Sequence, residues 1–338
     1  MTLSPYPRCS SCGISGKLYL CQGCHVVHYC GRDHQVSHRD IHKDVCNEIK
    51  RGHQALSKEE RRLRNIQGDV LTPDNLFVEH RGQFWGILET RTYMRHRFAL
   101  VEGFLKVNTC AAVQAAQEYL MESLYLCRSD NMGVRDLVPF VDLRLNKDQE
   151  CYDFCKWWET TGQDSHYDWG NLDNPYLNCK GSDVFEADVD IFMGEWASLN
   201  FLVTITLLKI RVWLTMRAYR DTALLSGKTS RDLLNCIRDQ VIHDTVLESR
   251  RDILTGDTLT ATINELQGQI QRLYKGVNDS NAHFWPALLN PGKHLRMRPE
   301  YISHGSKEEM QLTLKHCYGA WTESPGALDI IRRIRVTS

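Results

Sequence analysis

Eight soft or borderline metal ligands fall within 38 residues near the N-terminus: Cys9, Cys12, Cys21, Cys24, Cys30, His34, His42 and Cys46. Their order makes two C-x2-C pairs followed by C-x3-H and H-x3-C. A C-x2-C knuckle turns tightly enough for both sulfurs to face one ion, and residues four apart share one face of a helix. Structural zinc takes four Cys or His ligands tetrahedrally, so eight ligands predict two ions, each held by Cys3His. A closed shell leaves no metal-bound water to activate, which points to a structural rather than a catalytic metal. The metal also explains how a segment of about 45 residues can fold with so little apolar surface to bury. Zinc supplies roughly 10–16 kcal/mol of apparent free energy in finger peptides. His38 sits four residues from both His34 and His42 and could displace either. The two sets close without it, so His25, His28 and His38 are expected to be surface or supporting histidines.

The remaining cysteines agree with this. The chain has 13 cysteines, six of them among the first 46 residues. An odd total behind an N-terminus with no apolar signal segment predicts a reducing compartment, cytoplasm or nucleus, rather than a disulfide framework. Cys151 and Cys155, four apart on one helix face, and Cys110, Cys127, Cys179, Cys236 and Cys317 are expected to act as small apolar side chains.

The tract Tyr29-Cys30-Gly31-Arg32-Asp33-His34-Gln35, followed by Ile41-His42-Lys43-Asp44-Val45-Cys46, resembles the ending of a MYND zinc finger. The resemblance covers residues 9–46 and implies an interleaved cross-brace. One ion would sit on Cys9, Cys12, Cys30 and His34, the other on Cys21, Cys24, His42 and Cys46. His34 stands where the family usually has Cys, a conservative departure because imidazole binds zinc well. The family also implies a groove for short proline-containing peptides, lined by Gln and by a Trp four residues later. Here Gln35 matches, but the Trp position is Arg39. A guanidinium packs less well on a proline ring and adds charge, so the implied ligand is a more acidic, less proline-dependent peptide.

Elements beyond the finger read as helices. Ser57-Lys58-Glu59-Glu60 reads as a capping box opening a charged helix, and 68–86 as a linker. Tyr93 to Leu105 and Thr109 to Leu124 form two amphipathic helices, with Met132–Leu145 and Cys151–Trp158 following. The tract Asp130–Arg135 with Leu143 and Asn146 resembles a degenerate tetratricopeptide repeat. The tracts Cys127–Pro139 and His283–Leu295 resemble fungal MYND-finger proteins. A polar, turn-rich stretch spans 160–182. A long central helix is expected over Val184–Tyr219, then helices over Ser230–Arg250, Thr258–Lys275, Met310–Trp321 behind a Ser306 capping box, and a last one capped at Ser324-Pro325. The apolar stretch Trp196–Leu208 is shorter than the roughly 20 residues a bilayer requires, so no span is expected. The organisation predicted is mostly α. A cross-braced two-zinc finger (1–50) leads into a charged helix and linker (51–90). Helical hairpins (91–160), a polar loop (161–182) and a C-terminal helical region (183–338) follow.

No catalytic constellation accompanies these elements. There is no GxSxG, P-loop, HExxH or strand-bound GxGxxG. A SET-type lysine methyltransferase would place SET sequence before the finger, where eight residues precede Cys9; Asn281-Ala282-His283-Phe284 does not match its cofactor motif. Direct DNA binding is the other alternative. Lys and Arg number 41 against 42 Asp and Glu, a formal charge of −1, and residues 1–50 carry six basic against four acidic residues. That balance disfavours nucleic acid and anionic membrane as partners. The expected function is a non-enzymatic adaptor, a co-regulator of transcription or protein turnover. Its finger would dock peptides, and its helical part would be free to bind a second protein.

Overall fold

The computed structural model describes residues 3, 6–68, 72–194, 197–224, 245–254 and 256–337. Among them are one two-stranded sheet and 13 α-helices. In chain order the strands are β1 (Tyr19–Leu20) and β2 (His28–Tyr29). The helices are α1 (Arg32–Ser37), α2 (Arg39–Arg64), α3 (Leu76–Glu79), α4 (Arg91–Leu105), α5 (Cys110–Leu126), α6 (Val138–Arg144) and α7 (Asp148–Glu159). They continue as α8 (Leu199–Leu224), α9 (Thr245–Ser249), α10 (Gly256–Ser280), α11 (Phe284–Leu289), α12 (Lys307–Glu323) and α13 (Ala327–Thr337). The mostly α class with an N-terminal finger is as expected.

The chain divides into two compact units, one of residues 3–141 with 168–176, the other of 142–167 with 177–338. In the first, β1 and β2 pair antiparallel with Tyr19 opposite Tyr29. Helix α2 then runs 26 residues without a break, burying His42, Ile49, Leu56 and Leu63 at seven-residue intervals. That stripe packs on α4, which in turn packs on α5. Gly52 lies against Leu100, and Gly103 against Ile49, so the α2 and α4 backbones approach closely. Arg97, buried in α4, donates to Ser123 Oγ, the Tyr119 carbonyl and Glu122 Oε2 of α5. Thr109 caps α5 by accepting from the Ala112 amide, as its sequence position predicts.

Several boundaries differ from expectation, each for a local reason. Ser57 starts no helix: it lies inside α2, because Leu56 and Leu63 extend the buried stripe through it. The boundary expected at residue 50 falls within the same helix. Met132–Leu145 is not one helix but a 3-10 turn (Val134–Asp136) and then α6. Asp130, at φ 50°, accepts from the Val134 and Arg135 amides and starts that turn. Pro139 falls in the first turn of α6, where its missing donor costs nothing.

In the second unit, α8 begins at Leu199 rather than near Val184. Val184, Val189 and Phe192 are buried as the apolar spacing implies, but Asp183 and Asp188 accept hydrogen bonds from the Phe185 and Asp190 amides. Such local side-chain turns compete with helix. Helix α8 packs on α7, α10, α12 and α13. Its Leu199–Thr222 window is long and apolar enough to cross a membrane, and 83% of it is buried within the structure, as in a core helix. Thr204 and Thr206 satisfy their buried hydroxyls on the Asn200 and Leu202 carbonyls. Lys209 is also buried, donating to the Val184 carbonyl and, at 2.7 Å, to Gln269 Oε1. Arg144 forms a two-pronged pair with Glu323 at 2.9 and 2.8 Å. Ser306 caps α12 by accepting from the Glu309 amide. At the last helix Ser324 donates back to the Ala320 carbonyl instead of capping, and α13 starts beyond Gly326 at φ 82°. The helix expected over Ser230–Arg250 lies mostly outside the described residues, as do Cys236 and Trp196.

Candidate metal centres

The first knuckle brings Cys9 and Cys12 together through a tight turn. The Gly13 amide donates to the Cys9 carbonyl at 2.7 Å, and Gly13 has φ 74°, a conformation glycine adopts without a Cβ clash. Cys30 follows β2, and His34 sits one turn into α1. The four ligand atoms of Cys9, Cys12, Cys30 and His34 all lie within 4.8 Å of one another. The second knuckle carries Cys21 and Cys24 and closes with the His25 amide donating to the Cys21 carbonyl at 2.9 Å. His42 and Cys46, one turn apart on α2, complete a second set within the same limit. The knuckles therefore alternate between the two centres: 9 and 12 join 30 and 34, while 21 and 24 join 42 and 46.

The donor sets fit zinc. A Zn–S bond of about 2.3 Å gives a tetrahedral edge of about 3.8 Å. Cys12 and Cys30 sulfurs are 3.8 Å apart and those of Cys21 and Cys46 3.5 Å. His34 turns Nδ1 to Cys9 Sγ at 3.6 Å, and His42 turns Nε2 to Cys24 Sγ at 3.4 Å. Three sulfurs so close cannot all ionise without a cation. Burial, with the neighbouring Cys21 and Cys46, pushes the Cys24 thiol up to about 12. Burial also opposes ionisation of Cys9, but the amides of Cys12, Cys30 and Ser11 outweigh it and hold that thiol at about 5. A divalent metal supplies the charge that makes every thiol of each set a thiolate.

His38 is not a ligand. Its Nδ1 lies 2.9 Å from the Tyr29 hydroxyl, and its ring stacks on His42 at 5.7 Å, so it supports the ligand ring beside it. Gly23 plays a part that spacing did not single out. A Cβ there would lie 2.6 Å from Cys46 Sγ, so only glycine leaves room for the fourth ligand. The signal was present, a glycine inside the second knuckle, but its meaning depends on where α2 delivers Cys46.

The two centres differ in setting. Cys21, Cys24 and His42 are buried, whereas Cys12 of the first set is exposed. Beside the second centre lies a groove of about 530 Å³, walled by Tyr19 and Leu20 of β1, by Arg32 and Gln35 of α1, and by Arg39 and Lys50 of α2. Gln35 is half-buried, its Nε2 3.9 Å from Cys21 Sγ and its Oε1 accepting from Arg32 at 2.6 Å. Arg39 is exposed at the start of α2. Tyr19 and Leu20, at 54% and 47% exposure, are the apolar part of the wall.

The profile of the MYND finger matches residues 9–46. No curated protein and no solved structure matches the chain. Residues 9–46 are thus a MYND zinc finger whose two Cys3His sets correspond to the two zinc ions of that domain, a domain that commonly mediates protein interactions. The match ends at Cys46, in the first turns of α2, and does not extend to the helices beyond.

Proposed function

We propose that the protein is a zinc-dependent interaction adaptor whose finger docks short peptide segments of other proteins in the groove beside the second centre. The observation that carries this reading is the pairing of exposed Tyr19 and Leu20 with the polar Gln35 and Arg39 across one groove. An extended peptide can lay apolar side chains on such a wall while its polar groups meet the opposite side. Arg39 in the groove favours acidic over proline-rich ligands. The closed donor sets suit rigid presentation rather than chemistry, so the protein acts without a catalytic step of its own. Work as a co-regulator of transcription or protein turnover, in cytoplasm or nucleus, follows from that role, with the helical region available to a second protein.

The test is calorimetric titration of the full chain with synthetic proline-rich and acidic peptides, repeated with Arg39→Trp and Gln35→Ala. The reading expects binding by the wild type, loss with Gln35→Ala, and a shift toward the proline-rich peptide with Arg39→Trp. Unchanged preference in both variants would count against the groove as the binding site.

A further inference from the structure

The groove continues past the finger. A hollow of about 350 Å³ is lined by Asn47, Lys50, Arg51 and Gln54, and Asn47 and Lys50 also line the finger groove. Both hollows therefore lie along one side of α2. On that helix Arg39, Lys43, Asn47, Lys50 and Gln54 succeed one another at intervals of three or four residues, forming one exposed face. The buried stripe of His42, Ile49, Leu56 and Leu63 occupies another. The charged side chains lining the hollows are Arg32, Arg39, Lys50 and Arg51, and every one is cationic. Among the described residues none of these four has a carboxylate ion-pair partner. Of the acidic residues of α2, Glu48 is engaged with Lys106, Glu59 with Arg62 and Glu60 with Arg64, Asp40 lies 4.0 Å from Lys43, and exposed Asp44 lines neither hollow. In a chain of net charge −1, this is a concentrated local field.

We propose that this track binds an acidic peptide in extended conformation, running from the finger groove along α2 past Lys50 and Arg51 to Gln54. The proposal rests on the finger being a peptide-docking module, and it adds the length and charge of the ligand. From Arg39 to Gln54 the helix rises about 22 Å, a distance an extended chain covers in about seven residues. Side chains alternate along such a strand. One parity places carboxylates toward the cationic side chains, and the other places apolar groups on Tyr19 and Leu20. Exposed charges of this kind raise association rate and selectivity and are weakened by salt.

The test uses fluorescence anisotropy with fluorescein-labelled peptides of alternating Glu and Leu, four and eight residues long, on the zinc-loaded full chain. The longer peptide is expected to bind about fivefold tighter, and a Lys-Leu peptide of the same length about tenfold weaker than the Glu-Leu one. Arg51→Glu with Gln54→Glu, both exposed positions outside the finger groove, should leave the two lengths about equal. Tyr19→Ala with Arg39→Glu should weaken both, with circular dichroism confirming that each variant is folded. Equal affinity for the two lengths in the wild type overturns the extension along α2 while the finger reading stands. No binding of either length, or binding untouched by Tyr19→Ala with Arg39→Glu, overturns the finger reading and this proposal with it. Equal binding of the Lys-Leu peptide overturns the charge assignment. Displacement of the peptide by a twelve-residue oligothymidine at lower concentration would give the track to nucleic acid instead.

Discussion

Gly23 has no room for a side chain, since a Cβ would meet the Cys46 sulfur at 2.6 Å. Gly23→Ala must displace either the knuckle or the ligand, so zinc per chain should fall from two to about one by elemental analysis, with the first centre still filled. Two retained zinc ions would show that Cys46 can yield space. Lys209 makes a different statement. Burial, only partly offset by Glu186 and Asp183, lowers its pKa from 10.5 to about 8. Below pH 8 it is charged in both folded and unfolded chains, and the folded state bears the full desolvation cost. Between pH 8 and 10.5 the unfolded chain binds more protons, so this contribution moves toward stability as pH rises. Measured against Lys209→Met by denaturant unfolding, the wild type should gain up to about 3 kcal/mol over that window. A flat difference would mean that the ammonium is better solvated than its burial indicates.

Helix α2 is the element that joins metal to core. Its first turns carry His42 and Cys46, and its later turns carry Leu56 and Leu63 into the packing on α4. Leu56→Ala should cost about 2–4 kcal/mol in the unfolding of this unit, with zinc content unchanged. Thr109 ties the finger to α5 in another way, accepting from the Ala112 amide while its hydroxyl donates to the Val26 carbonyl at 2.7 Å. Thr109→Val should cost about 1–2 kcal/mol and Thr109→Ser much less, because serine keeps the cap.

The same elements show what a sequence can disclose. The eight ligands were legible because metal spacing is local, a knuckle or one helical turn at a time. The groove was only half legible. Gln35 and Arg39 could be named, but Tyr19, Leu20 and Lys50 join them through the fold of three separate elements. Ser57 looked like a helix start because a capping box is a pattern of side chains, and it gives way when burial on both sides keeps the helix going. Val184, Val189 and Phe192 illustrate the reverse: their spacing correctly marked buried positions, yet Asp183 and Asp188 turned the backbone away from helix. Periodicity reports which side chains are inside more faithfully than it reports the backbone that carries them.

At the scale of the whole chain, zinc belongs to one compact unit and the buried helix α8 to the other. A ligand that binds only the folded form raises the stability of the unit that holds it. Calorimetry should therefore resolve two transitions, of which chelation lowers one and leaves the other in place. The central claim is that both centres are closed shells of three sulfurs and one imidazole nitrogen, giving a rigid docking surface with no open coordination position. X-ray absorption at the zinc edge on the purified 338-residue chain tests it most directly. The account predicts two zinc ions per chain with an average first shell of three sulfurs at about 2.3 Å and one nitrogen at about 2.0–2.1 Å. A shell containing oxygen from water or carboxylate, or fewer sulfurs per ion, would contradict it.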